Sequence, residues 1–385
     1  MACHMFCPQG LTCIVRTGPG LSKQNLKKMY NATMLTKLVV DLLGRCGVSH
    51  DDAAVTARAL VAAEMRDIPS HGLLRLTDYI RMLRSGRINT GAMPEIVHQT
   101  ASTVTLDGDN GLGPVVADKA IRHAIAKAGD CGTGWVAVRH SNHFGIAGHY
   151  AMQALPHNMI GVCMCNANPL VAPTFAAVGM MGTNPLAVAI PAGKEPPLVA
   201  DFATAAIARG KVDLLHKKGL PIEEGFVQAP DGKPSTDPGI LTRGGSILPL
   251  GSTRKFGSHK GYCMAAIIDI FSALLSGAAF GPFVPPSVAW LPVKKDLFGK
   301  GTGHFFGAMR IDAFLPADHF LSGMDRWIKT MREAQPANGA ERVLIPGDPE
   351  REAEERNTRT GVSLQEKVKE QILNLCRELK VDCPL

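Results

Sequence analysis

Four short runs in the middle of the chain are apolar at consecutive positions rather than at alternate ones: "GWVAVRHSN" from Gly134, "IGVCMCNAN" from Ile160, "LAVAIPAG" from Leu186 and "LVADFAT" from Leu198. A strand with one face in water alternates apolar and polar residues, because successive side chains point to opposite faces. Runs of this kind predict strands covered on both faces, so the chain needs helices on either side of a sheet. "IVHQTASTVTLDGDN" from Ile96 alternates and ends in a turn, which predicts two more strands. "GHFFGAMRIDAF" from Gly303 predicts a late one, and "DKAIRHAIAKAG" from Asp118 a helix. The 40 glycines and 26 prolines fit many turns and an α/β architecture better than a helix bundle.

Both ends of the chain read as helical. "NATMLTKLVVDLLGRCG" from Asn31 has helical spacing and a stop at Gly47, and "SHDDAAVTARALVAAEMRD" follows with Ser49 as its cap and Asp52 three residues on. "PSHGLLRLTDYIRMLRSG" from Pro69 lines up Leu73, Leu76, Tyr79, Ile80 and Leu83 and stops at Gly86. The last 55 or so residues return to helical spacing, ending in an amphipathic helix from about Ser363. The most apolar stretch, "YCMAAIIDIFSALLSGAAF" from Tyr262, is interrupted by Asp269 and ended by Gly277 and two prolines, which predicts a buried helix and not a membrane span.

A net charge of +7 with only 5% aromatic residues and no Lys/Arg block argues against a nucleic-acid partner and favours a mildly basic pocket for an anion. The 10 cysteines are scattered without a recurring CxxC pair, so neither a metal site nor a disulfide framework is expected, and reduced thiols point to a cytoplasmic setting. The first 33 residues carry no secretory leader pattern; a mitochondrial presequence stays open.

Chemistry concentrates in a few places. In "DIPSHGLLRLTDYI" from Asp67, Ser70 reads as the cap of a helix, with His71 in its first turn and Arg75 one turn later on the same face. The positive helix end would lower the imidazole pKa, and the guanidinium could grip a carboxylate through two parallel hydrogen bonds. The pair suits a small 2-oxo acid held at one end and protonated at its carbonyl; a capped surface helix is the competing reading. "RHSNHFGIAGHY" sets His140, His143 and His149 around glycines that let the backbone approach a phosphate or ribose, with no acidic residue at metal-ligand spacing. Thr183 stands at the mouth of a strand. Asp201, at the end of another, either binds a hydroxyl or caps a helix. His259 and Lys260 open the long apolar helix against its dipole, as a bound anion would require, and Pro346 and Gly347 form a tight turn. "GTGHFFG" from Gly301 imitates a glycine-rich phosphate loop but precedes a strand instead of following one.

Taken in order, "SHGLLRLTDYIRMLRSGRIN", "SNHFGIAGHYAM", "GTNPLAVAIP", "DFATAAIARGK", "HKGY" and "IPGDPERE" resemble the malate/L-lactate dehydrogenase family, whose fold is distinct from the Rossmann fold and which also contains ureidoglycolate, sulfolactate and cyclic-imine reductases. The resemblance runs from about residue 34 to the end. It implies a mixed-sheet NAD(P)-binding domain over residues 93–329 and a smaller helical substrate-binding part from residues 34–92 packed with 330–385; residues 1–33 have no counterpart in it and are expected to be a disordered N-terminal extension.

By the same resemblance, His71 is the proton donor and Ser70 its partner, with His143 competing for that role; Arg75, Thr183, Arg209 and Gly210 contact the substrate. The segments His143, Phe144, Gly145, Ile146 and Ala147, then Asp201, Phe202 and Ala203, then His259 and Lys260, and last Pro346 and Gly347, hold NAD or NADP. No metal and no membrane contact are implied, and a homodimer is. Lys211 follows Arg209–Gly210 where the imine reductases carry a carboxylate, which weakens that activity. The expected function is hydride transfer between a nicotinamide cofactor and a small 2-hydroxy/2-oxo acid of the malate or lactate type; cyclic imino acid reduction, or a non-catalytic protein on the same fold, are the alternatives.

Overall fold

The structure, a computed structural model, describes residues 28–286 and 299–385. Its centre is a seven-stranded mixed sheet of β1 (Glu95–Gln99), β2 (Thr103–Asp107), β3 (Thr133–Ser141), β4 (Met159–Cys165), β5 (Pro185–Ile190), β6 (Leu198–Ala203) and β7 (Thr302–Arg310). The order across the sheet is β1-β2-β3-β7-β4-β5-β6, with β2 and β3 parallel and every other pair antiparallel. The late strand therefore inserts at the middle, between two earlier ones. All of the strands expected from doubly apolar runs are present, and they are flanked as their composition requires. Helix α4 (Gly113–Cys131) packs Val116, Ala120, Ile121 and Ala124 against Val104, Val136, Val138 and Phe306.

A second core is built from both ends of the chain. Helices α1 (Ala32–Gly44), α2 (His50–Met65) and α3 (Leu76–Arg84) share it with α10 (Glu366–Leu379), so that Leu35, Leu42, Leu60 and Tyr79 lie in one cluster with Val368, Ile372 and Leu375. Asn31 accepts from the Met34 amide and Ser49 from the Asp52 amide, the caps their sequence positions promise. The two ends are also tied directly. Met29–Tyr30 pairs antiparallel with Val362–Ser363, and Arg66 bridges to Glu354 at 2.6 Å. The Asn357 amide, on α9 (Asp348–Thr360), donates to the Met65 carbonyl and the Asp67 carboxylate.

A third, smaller core of Val171, Val212, Ile222, Val227 and Ile247 gathers α6 (Arg209–Lys217) and a three-stranded sheet beside the main one. Helix α8 (Ala317–Arg332) braces the β5–β6 turn: the Asp325 carboxylate accepts from the amides of Gly193, Lys194 and Glu195.

Two expectations need correction. The stretch opening with Pro69 is not one helix. Pro69–His71 and Leu73–Arg75 are two 3₁₀ turns broken at Gly72, and α3 starts only at Leu76. Gly72 is forced, because a β-carbon there would sit 2.3 Å from the Glu64 carboxylate. The apolar stretch after Tyr262 is helical, as α7 (Ser258–Asp269) and a wider turn over 270–274, but it is only half buried. Ile267, Ile270, Leu274 and Leu275 are each 45% exposed or more. Apolarity alone cannot separate a core helix from one with an uncovered face.

Candidate active site

The broken helix shapes the chemistry. Ser70 caps nothing; its hydroxyl lies 2.8 Å from His71 Nδ1. Arg75 Nε donates to the Ser70 carbonyl at 2.7 Å and its Nη1 to Asp78 at 3.3 Å, which fixes the guanidinium and leaves Nη2 without a hydrogen bond among the described residues. From below, the buried Glu64 carboxylate accepts the Leu73 amide at 2.7 Å; burial pushes its pKa up to about 7. The two turns that carry His71 and Arg75 are thus hung on Glu64.

Opposite them is the loop after β3, where His143 stacks on His71 with ring centroids 5.4 Å apart and planes inclined by 24°. The Tyr79 hydroxyl, from α3, sits 2.8 Å from His143 Nδ1 and 3.1 Å from its carbonyl oxygen. Burial first, and the Arg75 charge second, lower the His71 pKa to about 4, and burial drives His143 well below the ordinary range. Both imidazoles are neutral near pH 7. The loop is pinned from behind: Phe144 is buried, stacking on Tyr150 and tilted against His304, and the Asn142 amide reaches the Gly111 carbonyl. Phe144, expected at the cofactor, is a core residue, and Ile146 and Ala147 are buried as well.

Gly113, first residue of α4, lies so close that a β-carbon would meet the His143 carbonyl oxygen at 2.2 Å and the Asn142 carbonyl oxygen at 2.3 Å. Gly113→Ala is therefore expected to cost about 1–3 kcal/mol of stability by forcing backbone apart, and to lower turnover because the displaced backbone is that of His143. Urea unfolding together with steady-state rates checks both; unchanged values would mean that the loop has slack.

The other two histidines of that segment point elsewhere. His140 faces Asp107 at 3.1 Å and His149 packs edge-on to Tyr150. Among the described residues no three His, Cys, Asp or Glu side chains are grouped to hold a metal ion, and no helix is long and apolar enough to cross a membrane.

A cavity of about 480 Å³, within the usual range for ligand pockets, is bordered by Ile68, three residues before His71, and by Gly148, five after His143. Ile68, Gly148, Asp201, Phe202, Pro346 and Gly347 line it, with Arg66 and Glu350, so two of the expected cofactor segments, at Asp201–Phe202 and Pro346–Gly347, meet across one space. Asp201 caps a helix, but not the one after its own strand: it accepts the Gly148 amide of α5 (Ala147–Ala151) at 2.7 Å. Its carboxylate stays open to the cavity, and burial among neighbouring atoms raises its pKa to about 6. The Pro346–Gly347 turn closes the far wall through Asp348, which accepts the Ile345 amide and pairs with Arg332 and Arg351. Bare backbone at Gly148 and Gly347, apolar Val199 and Ile345, and a carboxylate acceptor fit the ribose end of a nucleotide.

The remaining expected residues lie outside this cavity. Thr183 contributes its carbonyl, which accepts the Thr204 amide at 2.9 Å; Arg209 pairs with Asp213 on α6, and Gly210 is exposed. His259 lies 2.9 Å from Arg254, and Lys260 is exposed at the start of α7. Sequence reading missed Glu64, Arg66 and Tyr79. Tyr79 carried a signal, since it stands four residues after Arg75 and so on the same side of a helix.

An arginine with a free guanidinium edge among the described residues, two stacked neutral imidazoles and a separate cavity of ligand size, on a mixed and mainly antiparallel sheet, are the parts a hydroxy-acid dehydrogenase needs. The family model described as malate/L-lactate dehydrogenase matches residues 30–373, and the chain belongs to that family. It is 34% identical over 351 residues to the malate dehydrogenase of Pyrococcus horikoshii, covering 90% of this chain and 94% of that protein. It is 37% identical over 355 residues to the L-sulfolactate dehydrogenase of Methanocaldococcus jannaschii, covering 89% and 95%. The crystal structure of malate dehydrogenase from Entamoeba histolytica superposes with a TM-score of 0.86 at 31% identity, covering 93% of this chain and 100% of that one.

Proposed function

We propose that the protein uses NAD(H) or NADP(H) to interconvert a small dicarboxylic or sulfonated 2-hydroxy acid, of the malate or sulfolactate type, with its 2-oxo acid. The observation that carries this reading is the unengaged Nη2 edge of Arg75 beside the stacked His71–His143 pair. Arg75 binds the C1 carboxylate through charge-assisted hydrogen bonds, and Thr183 adds a polar contact. Bound nicotinamide supplies or accepts the hydride. In the oxidation direction neutral His71 takes the hydroxyl proton on Nε2 while the Ser70 hydroxyl holds Nδ1. In reduction His71 returns that proton to the carbonyl oxygen.

The cavity lined by Asp201 and the Pro346–Gly347 turn holds the cofactor's ribose end. His143, with the loop through Ala147, backs the nicotinamide end, and His259 and Lys260 meet the phosphates. The uncovered apolar face of α7 fits burial in a homodimer.

Titration with NADH and NADPH, followed by nicotinamide absorbance with oxaloacetate, sulfopyruvate, pyruvate and a cyclic imino acid, tests the reading. Turnover confined to 2-oxo acids is the expected result. Preference for the cyclic imine, or no cofactor binding at all, would defeat it.

A further inference from the structure

We propose that Tyr79 is a positioning residue: its hydroxyl donates to His143 Nδ1 and keeps the ring proton on Nε2, so that His143 meets the substrate as a neutral hydrogen-bond donor. The inference rests on the oxidoreductase reading above and assigns the two competing histidines different tasks.

The Tyr79 hydroxyl has one proton and two acceptors in reach, the His143 carbonyl oxygen at 3.1 Å and, nearer at 2.8 Å, its Nδ1, so the choice turns on what else approaches Nδ1. The Gly145 amide also points at it, at 3.4 Å, two residues along the same loop. An amide N–H cannot donate to a nitrogen that already carries a proton, so Nδ1 presents its lone pair and the proton resides on Nε2. Tyr79 is fully buried, and a buried hydroxyl without a partner would be costly where phenylalanine would pack as well. Burial also raises the phenol's pKa, which keeps it a donor.

Among the described residues nothing facing His143 favours imidazolium. His71 stacks on it, and Arg75 and His304 add repulsion. A histidine held this way is a poor proton carrier and a good fixed dipole for charge growing on the substrate oxygen, which is how a neutral imidazole serves as an electrophile. Proton exchange is left to His71, whose Nδ1 partner is a hydroxyl able to donate or accept.

The experiment is Tyr79→Phe, which keeps the ring and removes one oxygen. In protein labelled with ¹⁵N-histidine, wild-type His143 should show an unprotonated Nδ1, and the variant a mixture of the two tautomers. Turnover should fall about tenfold, as expected for one lost hydrogen bond, with melting temperature and KM for the cofactor little changed. In a His143→Gln background the same change should alter turnover less than about twofold, since coupled residues are not additive.

An unchanged histidine spectrum overturns the tautomer assignment. A shifted spectrum with unchanged turnover, or an additive double variant, overturns the positioning role. The spectrum does not depend on turnover: a wild-type protein inactive on every 2-oxo acid, with the shift intact, would defeat the functional reading and leave the Tyr79–His143 assignment standing.

Discussion

Replacing His71 with glutamine is expected to lower turnover by roughly 10²–10⁴-fold, the range for losing a general acid–base group, while the cofactor still binds. The cavity proposed for the cofactor is lined by other residues, so a fluorescence titration with NADH should give a near-normal Kd. His143→Gln should be milder on turnover, because an amide can still donate a hydrogen bond. If the two variants ranked the other way, the proton would belong to His143.

The His71 pKa carries its own test. In the substrate-free protein it is lowered to about 4, by burial and then by the Arg75 charge. Its ring resonance should therefore show a neutral imidazole at pH 6 and titrate only on further acidification. A bound, unreactive 2-oxo-acid mimic places a carboxylate on Arg75, offsets that charge and should move the titration upward. The sign matters: binding an anion favours the protonated ring, so carboxylate binding itself recruits the proton that reduction needs. A titration midpoint near 6.5 without ligand would contradict the buried environment.

Arg75→Ala is the second large effect. A charge-assisted contact of this kind is worth roughly 2 kcal/mol or more, so kcat/KM for a 2-oxo acid should fall about 30-fold or more. Arg75→Lys should recover only part of the loss, because a lysine cannot keep the Ser70 carbonyl and Asp78 satisfied while offering a parallel pair of donors. The loss should vanish for a substrate whose C1 carboxylate is replaced by a neutral amide. The same substitution removes the charge that depresses His71, so the His71 titration should rise. Unchanged kinetics on carboxylate and amide alike would take Arg75 out of substrate binding.

The sheet was legible because burial on both faces leaves a mark in each strand separately: Trp135–Val138, Ile160–Cys165 and Leu186–Ile190 need no knowledge of their neighbours. The order of the strands was not legible, since β7 enters between β3 and β4 from about 140 residues downstream. Residue types and chain order singled out Ser70, His71, Arg75 and the Asp201 and Pro346 segments as candidates. The geometry that makes them a site did not show, because it depends on pairings remote in sequence: Tyr79 with His143, Asp201 with Gly148, Ile68 with Gly347.

The helix expected at Ser70 failed for a local reason. Ser-x-x preceding apolar spacing is a fair cap pattern, but Glu64 beneath Gly72 holds the backbone in two tighter turns, and no periodicity reports a carboxylate pressing from another helix.

The helices at the two ends of the chain share one core, and the His71 turns stand on it. On the ribosome, the segment bearing Ser70, His71 and Arg75 emerges nearly 280 residues before the strand partner of Tyr30 and the helix that receives Arg66. Until then the early helices lack the apolar contact of Val362, Val368, Ile372 and Leu375, whereas the strands of the central sheet draw their core from other residues. Removing residues 348–379 would strip the His71 turns of part of their footing while leaving the apolar contacts of the sheet untouched.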